Sequence, residues 1–195
     1  MIDGTLKEFI KNDLKQYLEK DDIKGAYDKA RLTLVWEDLR AIFMWFLELG
    51  LPVLEAMGDT LPSYFFSYSN ISEVSIPTNI ESISLGAFAH CEQLTSVTFS
   101  EGLYIIGEHA FYLCDLHEVV FPESLVRVED CAFARCENLQ TVKVLGDTYI
   151  NPYAFTYCGS VDIYLPDRYA ASFTELIKSV EMGWDTSSNL NIIMY

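Results

Sequence analysis

Five segments of the chain repeat one order of apolar and polar positions: SYFFSYSNISEVSIP, GAFAHCEQLTSVTFS, HAFYLCDLHEVVFP, CAFARCENLQTVKVL and YAFTYCGSVDIYLP. Each runs through an aromatic residue, a small polar pair, usually a cysteine, one apolar residue and an apolar alternation of period two. In this alignment the phenylalanines are Phe65, Phe88, Phe111, Phe133 and Phe155, spaced by 23, 23, 22 and 22 residues. Tyr68, Cys91, Cys114, Cys136 and Cys158 form a second column with the same spacings. Ile71, Leu94, Leu116, Leu139 and Val161 form a third, and Ile83, Ile106, Val128 and Ile150 a fourth. So many columns in register mark an internal repeat. A unit of 22–23 residues cannot bury its apolar side chains alone, so it stacks on copies of itself. Val74 with Ile76, Val97 with Phe99, Val119 with Phe121 and Val142 with Val144 predict one short strand per coil, those residues facing inward. Pro77, Pro122 and Pro166 end strands where a missing amide donor costs least. The Phe and Cys columns should then run as ladders down the interior.

The pattern AF-x-x-C-x-x-L-x-x-V-x-(I/F)-P resembles the BspA-like leucine-rich repeats over roughly residues 63–165. Departures are small. Tyr68 replaces the first Cys, one residue is missing between Cys114 and Leu116, and the last coil is one shorter before its strand. The tail VDIYLPDRY, with Trp184 and Asn191-Ile192, resembles the segment that often closes such repeats: a strand, a Tyr-bearing helix, a Trp and a last strand. The resemblance implies a solenoid and a binding role, but no substrate. The family includes surface and secreted adhesion proteins and many proteins of phages and mobile elements.

A solenoid needs its exposed ends covered. Thr5-Leu6-Lys7-Glu8 reads as a capping box opening a helix whose apolar face is Leu6, Phe9, Ile10, Leu14, Tyr17 and Leu18. A second helix is expected over Ile23–Arg31, and a third from Leu34 to Gly50, with Pro52 starting a further turn. Trp36, Leu39, Ile42, Phe43, Trp45, Phe46 and Leu49 cover more than one face of the third. The passage FLELGLPVLEAMGDTLPSYFF resembles the helical lead-in of phage repeat proteins. The expected fold is therefore α+β: a short leucine-rich-repeat solenoid of about five coils over residues 61–165, with an N-terminal helical cap domain over 1–60 and a C-terminal αβ cap over 166–195.

Charge narrows the choice of partner. The 195 residues carry a formal charge of −16. Residues 1–60 hold 12 acidic and 8 basic side chains, and residues 61–195 hold 17 acidic and 5 basic, so the repeat half carries most of the field. Such a surface repels a phosphate backbone and an anionic membrane. It leaves basic proteins, including those whose own ligand is a nucleic acid. The most apolar run, Ala41–Leu47, soon meets Glu48, Gly50 and Pro52, too short to cross a bilayer. The opening MIDGTLKEFIKNDLK lacks the charged-then-apolar order of a secretion leader. For an untrimmed front end this predicts a cytoplasmic protein, in the host cytoplasm if phage-encoded.

Little in the chain reads as catalytic chemistry. Four cysteines recur at the coil period, which is not a metal-ligand spacing, and read as small core residues. Cys131 lies outside the column. His90, His109 and His117 make no nucleophile–base set, and there is no phosphate-cradling Gly-rich loop, CxxC pair or HExxH. The reading is a non-enzyme with no metal and no cofactor. The acidic residues fall in columns: Glu92, Asp115 and Glu137 after the Cys, Glu101 and Glu123 after the strand, Glu108 and Asp130 in a third, and Glu73 and Glu118 outward on the strand. Stacked coils would set such carboxylates about 5 Å apart, where like charges repel. Two readings stay open: a solubilising face, or an electrostatic match to a basic protein. On the second, Glu73, Glu92, Glu101, Asp115, Glu118, Glu123 and Glu137 are the partner-binding candidates. The function expected is a protein-interaction module. One version is a phage-encoded inhibitor of a host defence or nucleic-acid enzyme by charge mimicry; the alternative is an adhesion protein whose export signal was removed.

Overall fold

The computed structural model describes residues 8–20, 53–174 and 188–195, with 22, 25, 26, 29, 30, 40–42, 44, 176 and 178 between them. The chain divides into two compact units, residues 1–58 and 59–195. In the first, a π-helical stretch, Ile10–Leu14, runs into a short α-helix, Lys15–Leu18. The expected apolar face is present there: Leu14 is buried, and Phe9, Ile10, Tyr17 and Leu18 are half-buried. Residues 25–26, 29–30, 40–42 and 44 are helical, and Val53–Ala56 forms a last turn. The Thr5 capping box and most of the second and third expected helices lie outside the described residues.

The second unit is a short β-solenoid of about five turns. Its two-residue strands β1 (Thr60–Leu61), β3 (Ser82–Ile83), β5 (Ile105–Ile106), β7 (Arg127–Val128) and β9 (Tyr149–Ile150) pair in parallel, coil upon coil, into one sheet. Their second residues, Leu61, Ile83, Ile106, Val128 and Ile150, all point inward and are buried. The longer strands alternate with these: β2 (Glu73–Ile76), β4 (Ser96–Phe99), β6 (Glu118–Phe121), β8 (Thr141–Val144), β10 (Ser160–Leu165) and β11 (Asn189–Met194). Their burial alternates as expected, Val97, Phe99, Val119, Phe121, Val142 and Val144 inside, with Val74 half-buried. This second ladder is interrupted. β2 pairs with β4, and β6, β8, β10 and β11 pair with one another. The break falls before β6, whose loop from Cys114 to Leu116 is one residue shorter than its counterpart from Cys91 to Leu94, although β6 pairs with β8 across the same difference. After β10 the chain turns through a 3-10 helix, Asp167–Phe173, and returns as β11. Trp184 is outside the described residues.

The third side is built from the AF-x-x-C turns. Their amides alternate in use. Phe66, Phe88, Phe111 and Phe133 donate to Ala87, Ala110, Ala132 and Ala154 of the next coil at 2.7–2.8 Å, while Ala89 and Cys91 close turns onto Gly86 and Phe88 of their own coil. Left-handed backbone recurs twice in each of the first four coils and once in the fifth. Tyr64, Gly86, His109 and Cys131 make one such column and Tyr68, His90, Leu113, Arg135 and Tyr157 the other, with φ from 52° to 61°. Each non-glycine residue there costs roughly 1–2 kcal/mol, which the ladder must outweigh.

The turn also corrects the sequence alignment. Phe66, not Phe65, begins the aromatic ladder, stacked on Phe88 at 5.1 Å, with Phe88–Phe111, Phe111–Phe133 and Phe133–Phe155 following at 5.0, 5.2 and 5.7 Å. Phe65 is buried edge-on against Phe66. Ser69, not Tyr68, heads the thiol column, its hydroxyl 3.3 Å from Cys91 Sγ. Tyr68 is the left-handed residue beside it and points out. The cysteines do more than fill space. Each column thiol donates to the carbonyl of a ladder Phe one coil back: Cys91 to Phe66, Cys114 to Phe88, Cys136 to Phe111 and Cys158 to Phe133, at 3.1–3.2 Å. No disulfide forms among the five cysteines. Where backbones pass closest no side chain fits: a Cβ on Gly146 would strike the Glu123 carbonyl.

A buried aromatic stacked on both sides should be costly to remove. Phe111→Ala is expected to lose about 3–5 kcal/mol in urea denaturation, and Phe155→Ala, with one ring neighbour in the ladder, less. Equal losses would show that the rings do not act as a ladder. In native chain, a thiol reagent should modify half-exposed Cys131 first and reach the four column thiols only on unfolding; simultaneous modification of all five would contradict the dry column.

Candidate protein-interaction surface

The seven acidic candidates separate by what surrounds them. Glu92, Asp115 and Glu137, each following a buried cysteine, converge on one open depression of about 210 Å³, lined also by Leu113, Cys114, Arg135 and Asn138. Asn138 donates to Asp115 Oδ1 at 2.6 Å. The others are dispersed. Glu73 and Glu118 begin strands β2 and β6, but Ser96 occupies the coil between them. Lys143 Nζ pairs with Glu118 at 3.2 Å, and Arg168 lies 4.0 Å from Glu123. Glu101 is used inside the fold: its carboxylate accepts the amides of Glu123 and Ser124 from the next coil at 3.1 and 3.0 Å. Of the third column, Glu108 lies 3.3 Å from His109 Nδ1. Asp130 is half-buried, and its Oδ1 has no hydrogen-bond partner among the described residues.

Beside the depression runs a surface that the acidic columns did not reveal. The second left-handed column turns its side chains outward while the next residue, the thiol, turns in. Tyr68 is 72% and Tyr157 54% exposed. The Tyr68 ring stacks on His90 at 4.3 Å with 8° between planes, and His90 meets Tyr112 edge-on at 5.3 Å. Arg135 lies over the Tyr157 ring at 4.9 Å. In the neighbouring column the Tyr64 ring occupies the space that a side chain on Gly86 would need. The sequence carried one signal of this face: bulky residues directly before each ladder cysteine.

The chemistry available is recognition. Burial pushes the Cys114 and Cys136 thiols well above their ordinary range, so they stay protonated and unreactive. On the sheet formed by the short strands, the bidentate bond to Glu129 raises the Arg127 guanidinium still higher, and the same guanidinium lies over Tyr149 at 5.0 Å. Among the described residues no group of three His, Cys, Asp or Glu is placed to hold a metal ion, and no helix is long and apolar enough to cross a membrane.

Residues 59–176 match six copies of the BspA type leucine rich repeat region. No curated protein sequence matches the chain. Among the solved structures that are similar are the following two. The pneumococcal vaccine antigen PcpA is 24% identical, with a TM-score of 0.49, over 55% of this chain and 30% of PcpA. A leucine-rich repeat protein from Bacteroides ovatus is 25% identical, with a TM-score of 0.40, over 54% of this chain and 34% of that protein. The chain thus spans about a third of the length of each.

Glu101 should prove a structural residue. Glu101→Ala is expected to cost about 1 kcal/mol, a fall in Tm of roughly 2–4 °C, by removing the acceptor for two amides. A calorimetric Tm equal to that of the parent would return Glu101 to the set of free surface carboxylates.

Proposed function

The chain belongs to the BspA-type leucine-rich repeat family, and on that premise we propose that it is a non-catalytic module that binds a protein partner with a basic surface. The fold is of the protein-interaction type. The observation that carries the finer reading is the convergence of Glu92, Asp115 and Glu137 on one depression, within a repeat half holding 17 acidic against 5 basic residues. Carboxylates gathered at one place raise the encounter rate with a cationic surface and orient it. The effect reaches about 10 Å at 0.1 M salt, so the binding should be salt-sensitive.

The geometry favours a discrete patch over a long imitation of a phosphate backbone. A nucleic-acid mimic needs an unbroken row of negative charge. Here Ser96 interrupts the strand column, Lys143 and Arg168 approach Glu118 and Glu123, and Arg135 lies at the edge of the convergent three. Inhibition of a nucleic-acid enzyme would then come from seating one basic protrusion, not from filling a phosphate channel.

Reversal of the three charges tests the reading. In retention from a bacterial lysate, the parent chain should hold basic proteins at low salt and release them at high salt. The triple variant Glu92→Lys, Asp115→Lys, Glu137→Lys should lose at least about tenfold of that retention with an unchanged circular dichroism spectrum. Retention unaltered by the triple variant would reject this face.

A further inference from the structure

We propose that the outward left-handed column, Tyr68, His90, Arg135 and Tyr157 with Tyr112 alongside, anchors the partner, and that what it receives is an extended peptide segment bearing arginines. This rests on the acidic-module reading and adds to it the anchor and the cation. Left-handed backbone is the place for glycine, or at most asparagine. Gly86, in the companion column, shows that the turn accepts glycine. Yet this column holds tyrosine, histidine, leucine, arginine and tyrosine at φ near 60°. The interior gains little from the two tyrosines, since the Phe and thiol ladders are complete inside and the tyrosines are mostly exposed. What the strain maintains is an outward column with rings at Tyr68, His90 and Tyr157 and, between them, Leu113 and Arg135 at the edge of the depression. Rigid tyrosine, histidine and arginine surfaces of this kind anchor protein interfaces.

Charge complementarity selects the occupant. The column meets the depression of Glu92, Asp115 and Glu137 midway, at Leu113 and Arg135, so a cationic segment lying along it has rings at its ends and carboxylates at its centre. Arginine uses both: its guanidinium stacks flat on an aromatic face and bonds a carboxylate in two places, which a lysine ammonium does not do. The surface already makes this contact once, with its own Arg135 over Tyr157. The coil spacing also limits the segment. A polyproline-II chain returns the same face every three residues, about 9.3 Å, close to two coil steps of about 4.8 Å each. Arginine at every third residue of such a segment therefore keeps register with alternate members of the column: Tyr68, Leu113 beside the carboxylates, and Tyr157.

Fluorescence anisotropy with the full chain at low salt, using labelled (Arg-Pro-Pro)4 and (Lys-Pro-Pro)4, tests this. The two peptides carry the same number of charges. Wild type should bind the arginine peptide about tenfold more tightly than the lysine peptide. Tyr68→Gly with Tyr157→Gly, a substitution the left-handed backbone accommodates, should bring the arginine peptide down to the lysine level. Tyr68→Phe with Tyr157→Phe keeps the rings and should preserve the preference. Equal binding of both peptides by wild type, or a preference that survives the double glycine variant, overturns the anchor while leaving the acidic module intact. Failure of both peptides to bind wild type at low salt overturns the anchor and the acidic module together.

Discussion

Parallel hydrogen bonding between successive coils sets each residue about 4.8 Å from its counterparts above and below, and every other property of the repeat unit is constrained by that step. A side chain's principal neighbour is the residue one period away, not the residue four away as on a helix. The step is too short for bulky apolar groups to overlap without stacking, so the phenylalanines lie nearly parallel at 5.0–5.7 Å. It leaves no room for a Cβ where Gly146 passes Glu123. It also brings each column thiol within reach of the ladder-Phe carbonyl one coil back, which is why a cysteine suits the position better than an alanine of similar bulk.

The same step turns any repeated charge into a repulsive column, and the chain answers this differently at each one. Glu101 faces amides. Glu118 faces Lys143, and Glu123 has Arg168 at its margin. Asn138 approaches Asp115. What is left at Glu92, Asp115 and Glu137 is a small concentration of negative charge, not a continuous stripe, and it adjoins the outward left-handed column at Leu113 and Arg135.

Much of this was legible in the sequence because a period of 22–23 residues reports directly on contacts between coils. The strands, their inward residues and the ladders follow from it. The turn was less legible. In Phe65-Phe66 either ring could start the ladder, and pairing Phe65 with Tyr68 gave a consistent slip of one residue. Only the hydroxyl of Ser69 against Cys91 and the stacking of Phe66 on Phe88 resolve it. The sign of φ was hidden for a physical reason: Tyr, His, Leu and Arg are residues whose type argues against left-handed backbone, so the face they create was invisible to composition. The N-terminal helices were read from amphipathic spacing, and Leu14, Phe9 and Ile10 follow it in the part described.

One side of the solenoid is unpaired between β4 and β6, while the short-strand sheet and the AF turns remain bonded across the same coils. Two continuous seams and one cut seam make the body mechanically anisotropic. Extension along the axis would have to break the bonded sides together. Between those two coils the unpaired side is therefore held by apolar packing, Phe99 against Phe111 and Phe121 at 5.7 and 6.3 Å, rather than by a strand ladder.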